Sequence, residues 1–410
     1  MSPTYRRLVA RGRTAAIPVV AAAAVAGGAI GVSSAVAESS GHAASAISKS
    51  TLAKAKAAVT AAQTAPKWYA PGPKVNAKKA LKGKTIVTFP ISSQIDACNT
   101  KGQQGYLDAE AKALGAKVIP LPSNTGPAGW NANLSQALTD KASAVVMLCG
   151  VPASLVAQPL AALQAHHIPV IDGNYNQTAG NKNFPTTGLS AVTGVNTIQG
   201  VQTDLADALV NLNGKPAKIL FLNSPQVAQY SGATGGLNAA IKSYCPSSCS
   251  IVRQEDFNTQ DWSGPKEIAA VTSDLQANPS INTVIVTFDG MTDGIESTVQ
   301  LAAATHPGLK MYAWGGGLSE IKNVQTSSTF VGDSGPNEKW DAYYQLDQTI
   351  RLLGHKQARP VNKEVAPNIY FTKANAKSFS VGGNGQAYSD KAFSNGAFVK
   401  DFLRLWEVKK

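Results

Sequence analysis

Apolar residues in this chain recur as short unbroken runs, each followed by a longer stretch in which they return at helical spacing. The clearest run is Val284-Ile285-Val286-Thr287-Phe288-Asp289-Gly290, β-branched and apolar until Asp289, with a helix-like segment at Ile295–Ala304. A continuous apolar run followed by a helix is the pattern of a buried strand in a parallel sheet. It puts Asp289 at the strand's carboxyl end, the edge at which open α/β sheets bind ligands. Ala144–Gly150 followed by Ser154–Ala165 repeats the pattern. Two such α/β units with polar residues at their strand ends point to two lobes facing each other across a cleft.

The same alternation runs from Gly83 almost to the end. Strands are expected at Thr85–Pro90, Lys117–Leu121, Ala144–Cys149 and Val170–Gly173, with helices at Thr100–Leu114, Trp130–Thr139 and Ser154–Ala165. Leu189–Asn196 reads as a connection into the second lobe. There helices Thr197–Asn211, Gly232–Ile241, Pro265–Gln276 and Ile295–Ala304 alternate with strands Lys218–Leu222, Ser250–Phe257, Thr283–Asp289 and Lys310–Trp314. A short helix, a strand near Thr329–Asp333, a long helix Glu338–Leu353, a last strand Ile369–Thr372 and an amphipathic closing helix Val399–Val408 follow. That helix carries Phe402, Leu405 and Trp406 on its apolar side and is expected to pack on the body. Successive βα units of this length imply parallel sheets with right-handed crossovers, an α/β fold.

The first 37 residues read as a signal peptide rather than as structure. Arg6, Arg7, Arg11 and Arg13 precede the apolar stretch Ala15–Val32, and Ala35-Val36-Ala37 is a small-x-small cleavage site, so export with a mature start near Glu38 is expected. No cysteine follows the apolar stretch until Cys98, which argues against a lipoprotein anchor there. Residues 38–82 form a basic low-complexity extension with a helix expected over Leu52–Ala62, broken by Pro66, Pro71, Gly72 and Pro73. Trp68 and Tyr69 are expected to pin it to the globular body.

Charge adds little to this picture. The formal net charge of +12 falls to +8 without the signal's four arginines, and much of the excess lies between Lys49 and Lys84. A solvated exported linker explains it better than a nucleic-acid footprint, so no nucleic-acid partner is expected. Four cysteines in an exported chain favour disulfides. Cys245 and Cys249 can close a short loop, and Cys98 with Cys149, both near carboxyl ends of neighbouring strands, make a plausible second bridge at the cleft rim. Neither pair has a nearby His at metal-site spacing, so neither a metal nor another cofactor is expected.

Several segments together carry a resemblance. Thr88-Phe89-Pro90-Ile91-Ser92, Ile168-Pro169-Val170-Ile171-Asp172, Val195-Asn196-Thr197-Ile198-Gln199-Gly200, Gln260-Asp261-Trp262, Leu275-Gln276-Ala277-Asn278-Pro279 and Phe288-Asp289-Gly290-Met291 occur in that order. The stretch from about Gly83 to Thr372 thereby resembles the type I periplasmic sugar-binding proteins, the substrate-binding subunits of ABC importers, and its basic extension looks like that of exported actinobacterial-type members. The resemblance implies two Rossmann-like lobes with parallel sheets and three crossovers, near Leu189–Asn196, Asp333–Asn337 and Val365–Ile369. Residues 83–193 with 334–365 would form one lobe, 194–333 with 366–372 the other, and 373–410 a C-terminal extension. It further implies a monomer that takes a small-molecule ligand and passes it to an ABC permease, with no catalysis. A receptor subunit for a membrane sensor kinase is the alternative.

Site residues follow partly from strand ends and partly from the resemblance. Ser93 and Gln94 fall in the family's first ligand-contacting loop, or else in a solvated one. Asp172 matches its acidic residue after the fourth strand, or caps a turn before Gly173. Trp262 matches its aromatic platform, or fills core. Asp289 faces the cleft or caps the next helix. Phe288, Tyr230 with Gln229, Trp314 and Asp333 complete the set, and Trp130 is a further aromatic candidate. The departures are Gly173 where an Arg often stands, Ser231 near the second-lobe Arg, and Gly315–Gly317 where an Asp would fall. The expected ligand is a sugar or sugar-like compound, and a more aromatic, less ionic cleft adds as an option a larger and less polar one, such as a glycoside or an aromatic or alicyclic compound. Three look-alikes are set aside: Gly332-Asp333-Ser334-Gly335-Pro336 lacks the other parts of a serine-protease site. Gly315–Gly317 lacks dinucleotide-loop spacing, and His166-His167 reads as a surface pair at a helix end.

Overall fold

The computed structural model describes residues 46–123, 126–176, 188–378 and 391–408; the expected signal segment, residues 1–37, lies outside them. The described residues form two six-stranded sheets. In the first, β1 (Thr85–Pro90), β2 (Lys117–Pro120), β3 (Ala144–Leu148), β4 (Val170–Asn176), β5 (Ala191–Val195) and β11 (Val365–Ala366) are all parallel, in the order β11-β5-β4-β3-β1-β2. The second contains β6 (Lys218–Asn223), β7 (Ser250–Asp256), β8 (Thr283–Val286), β9 (Lys310–Trp314), β10 (Phe330–Pro336) and β12 (Asn368–Thr372), in the order β12-β10-β9-β8-β6-β7. Only β12, against β10, is antiparallel.

Helices cover both faces, which explains the continuous apolar runs: every residue of β3 and β8 is buried. The edge strands β2 and β7 are correspondingly more polar and partly exposed. In each sheet the winding direction reverses, between β1 and β3 and between β6 and β8. A crevice forms at such a switch point, outside the carboxyl ends of the strands.

The chain passes between the sheets three times. From β5 it enters α6 (Thr197–Asn211), which packs on β9 and β10; from β10 it enters α11 (Glu338–Leu353), which packs on α3 (Gln103–Ala113), β4 and β5; Pro367 separates β11 from β12. Leu189–Asn196 is therefore more than a connection. Its Ala-Val-Thr-Gly-Val core is a fully buried strand of the first sheet, paired with β4 and β11. The run at Val284 also ends sooner than its composition suggests. β8 stops at Val286, and Asp289–Met291 forms a 3-10 turn closed by the Thr292 hydroxyl, which donates to the Asp289 carbonyl at 2.6 Å.

Both extensions lie on the body. α1 (Lys49–Ala62) rests on α6, burying Ala55 and Val59 against Ala206 and Tyr370. The chain then crosses to the first lobe, where α2 (Ala77–Leu81), a helix not expected from the sequence, packs on α11. Trp68 meets the Phe402 ring edge-on at 5.7 Å, whereas Tyr69 is 73% exposed and pins nothing. The closing helix, Ala397–Leu405, lays Phe398 on Trp340 with ring centroids 4.6 Å apart and buries Phe402, Leu405 and Trp406. Among the described residues no helix is long and apolar enough to cross a membrane.

Both cysteine pairs are bonded, Cys98 to Cys149 across 51 residues and Cys245 to Cys249 across 4. Loop-closure entropy makes the first worth about 4 kcal/mol and the second about 2. In urea unfolding, the double variant Cys98→Ser/Cys149→Ser is expected to lose roughly twice the stability lost by Cys245→Ser/Cys249→Ser; equal losses would show that native-state contacts, not chain entropy, set both values.

Candidate functional site

A cleft of about 1640 Å³ opens between the carboxyl ends of the two sets of strands. The first lobe contributes the loop after β1, the start of α3 and Trp130; the second contributes Thr259, Gln260, Trp262, Ser263, Phe288–Gly290, Asp293 and Gly316–Glu320. Pro336 and Glu338, at one crossing between the sheets, form part of the lining.

On the second-lobe wall Trp262 and Phe288 form a tilted pair with centroids 4.6 Å apart. Trp262 is held by its indole N–H, which donates to the buried Ser224 hydroxyl at 2.8 Å. Tyr230 does not reach the cleft. It is fully buried one layer deeper, 6.4 Å from Trp262 and 6.1 Å from both Phe288 and Trp314, and so buttresses the pair. Gln229 beside it is also buried, and Trp314 packs inward, where a Cβ on Gly200 of α6 would lie 2.2 Å from its ring.

Asp289 lines the cleft although only 4% exposed, and its carboxylate accepts the Gly317 N–H at 2.7 Å. Burial first, then the neighbouring Glu320, raises its pKa well above the carboxylate range, against the backbone N–H groups of Gly317 and Gly290. The glycine triplet exists for this carboxyl: a Cβ on Gly315 would stand 2.0 Å from it. Asp293 and Glu320, from α9 (Thr292–Ala302) and α10 (Leu318–Thr326), share a hydrogen bond, and burial raises both. Asp333 is completely buried in β10 behind them, raised by burial, then by Asp289 and Glu320.

On the first-lobe wall Gln94 lines the cleft and is exposed. Ser93 instead fastens loop to loop: its hydroxyl accepts the Ser123 N–H and its own N–H donates to the Ser123 carbonyl, both at 2.9 Å. Cys98–Cys149 ties the same loop to the end of β3. Asp172, expected after the fourth strand, is instead the third residue of β4, which runs on to Asn176; it is buried there, with its pKa raised by desolvation against the Tyr175 hydroxyl and the N–H groups of Gly173 and Val151. The missing arginine has a steric cause, since a Cβ on Gly173 would sit 2.2 Å from the Gln345 amide of α11. Trp130 reaches the lining but is 1% exposed, its indole N–H donating to the Ile91 carbonyl at 2.8 Å.

Beneath the cleft the Gln103 amide donates to Glu338 at 2.7 Å and to Asp341 at 2.9 Å, and accepts from Gln345 at 3.2 Å. Asp293, Glu320 and Glu338 escaped the sequence reading because they sit in helices after the strand ends; surveying acids in the first turn beyond each strand would find them. The Gly332–Pro336 segment is β10, with Ser334 buried, and His166 and His167 are exposed at the end of α5 (Ala157–Ala165).

No protein-family model matches the sequence, and no curated protein does. Solved structures do match. The 5-methylthioribose transporter solute-binding protein of Thermotoga lettingae, in complex with 5-methylthioribose, superposes with a TM-score of 0.63 at 12% identity over 81% of this chain and 99% of its own. A sugar ABC transporter of Yersinia enterocolitica gives 0.61 at 18% identity over 83% and 98%. A Mycobacterium smegmatis ABC transporter solute-binding protein with bound glycerol gives 0.59 at 18% identity over 73% and 98%. The fold is that of the type I periplasmic binding proteins. In that fold the cleft described above is the space between the lobes.

The buried acids give the ligand-free protein a characteristic pH response. Burial raises Asp108 and Asp207 to about 6 and Asp341 to about 7. A raised carboxyl contributes stability in full below the ordinary carboxylate range and loses it as pH rises through the folded value. The melting temperature is therefore expected to fall between pH 5 and pH 8, and to fall less in Asp341→Asn. A melting temperature that rises over this window would show these acids to be ionised in the folded protein.

Proposed function

We propose that this is an extracytoplasmic solute-binding protein that captures a small organic ligand between its lobes and delivers it to an ABC importer. The observation that carries the reading is the Trp262–Phe288 pair, presented on one wall of a cleft lined by the carboxyl ends of both sheets. Aromatic faces cover the apolar side of a ligand, while polar groups at strand ends replace the water on its hydroxyls. The cleft exceeds the roughly 300–1,000 Å³ of a closed ligand pocket, which leaves room for a hinge rotation to complete the shell. The structures reported above that carry 5-methylthioribose and glycerol support a sugar-like or polyol skeleton, and the ring pair adds a flat apolar face for it to lie on. The protein acts as a monomer, presents the outer faces of its lobes to the permease, and performs no chemistry.

Thermal-shift measurements on residues 38–410 against sugars, polyols, glycosides and aromatic acids test this. A ligand at a hundred times its Kd adds about 2.7 kcal/mol, and removing the ring in Trp262→Ala is expected to weaken it roughly tenfold. Small-angle scattering should show the protein become more compact with that ligand. The reading fails if no compound of any class stabilises the protein.

A further inference from the structure

The cleft is acidic in a basic protein. The chain carries a net +12, yet Asp96, Asp289, Asp293, Glu320 and Glu338 line the cleft against a single base, Lys101. Lys101 is already spoken for, its ammonium 3.0 Å from Asp96. Burial is the strongest influence on Asp289, Asp293, Glu320 and Asp333; after it come one another, backbone N–H groups and the Ser319 hydroxyl, with Asp204 adding to Asp333, and no lysine or arginine is among them. Asp293 and Glu320 touch directly, which two carboxylates sustain only with a proton or a cation between them.

The aromatic pair adjoins this cluster. Asp289 follows Phe288 in the chain, the Ser263 hydroxyl donates to the Gly290 carbonyl at 2.6 Å, and a Cβ on Gly294 would stand 2.8 Å from Ser263. Trp262, Phe288, Asp289 and Asp293 thus line the same wall of the cleft, on segments that touch. Among the described residues no group of three or more His, Cys, Asp or Glu is placed to hold a metal ion. A protonated amine suits both halves: it donates charge-assisted hydrogen bonds to the carboxyls and sits against the rings as a cation.

Resting on the solute-binding reading, we propose that the ligand of this cleft carries a protonated amine, seated between the Asp293–Glu320 pair and the Trp262–Phe288 rings. Its remaining skeleton lies towards Gln94 on the opposite wall. Matched probes test this at pH 7.5 by calorimetry on residues 38–410: D-glucosamine against D-glucose, and 2-phenylethylamine against 2-phenylethanol. In at least one pair the amine is expected to bind tenfold or more tightly than its neutral partner, and to lose that advantage in Glu320→Gln and in Asp293→Asn. The isosteric Glu320→Gln decides if Asp293→Asn unfolds. Neutral members binding as well as amines, or a neutral sugar or polyol from the wider panel binding while no amine does, overturns the charge assignment and leaves solute binding standing. An amine advantage that survives both substitutions overturns the placement of the charge. No binding by any probe or panel compound overturns both readings.

Discussion

The hinge side of the molecule is organised by one buried ion pair on α11. Arg351 and Asp347 meet at 2.6 Å, with side chains 2% and 0% exposed. Asp347 also accepts the Trp406 indole N–H at 2.7 Å, and Arg351 donates to the Pro73 carbonyl at 3.0 Å. Glu364, next to β11, lies against the same pair. A single charge pair thus joins the helix that re-enters the first lobe, the N-terminal extension, the closing helix and the segment leading to the third crossing. Buried charges persist only when paired and hydrogen-bonded, and losing one partner typically costs about 3–5 kcal/mol. Buried carboxyls meet on both sides of the body, Glu364 against Asp347 at the back and Asp293 against Glu320 at the cleft, but only the back pair has arginines, Arg351 and Arg359, among its neighbours.

Much of the fold was legible because its strands are buried on both faces. β1, β9, α6 and α11 fall at the positions their apolar patterns predict, residue for residue. β5 was not legible as a strand. Its five residues resemble a linker until β11, far along the chain, pairs with Gly194 and Val195. α2 is short and lysine-rich, and it owes its helix to burial of Ala77, Ala80 and Leu81.

The site was legible to the depth of one layer. Reading strand ends leads to Trp262, Phe288 and Asp289 at the wall, but equally to Tyr230, Trp314 and Asp333, which lie behind it. Sequence position fixes the edge of the sheet at which a side chain emerges and not how far it projects. Gly173 and Gly315 show the same limit from the other side. Their lack of a side chain is plain in the sequence, while the reason, Gln345 in one case and Asp289 in the other, exists only in three dimensions.

The extensions also settle which lobe holds each end of the described chain. Ahead of α1, the Ile47 N–H donates to the Gly214 carbonyl beside the second sheet, while the Leu405 carbonyl accepts the Val75 N–H over the first. Any rotation of one lobe against the other must change the separation of these ends and bend the stretch between α1 and α2. The molecule is in effect wired as its own gauge: a donor fluorophore before α1 and an acceptor after the closing helix would turn lobe motion into colour, with neither dye near the cleft.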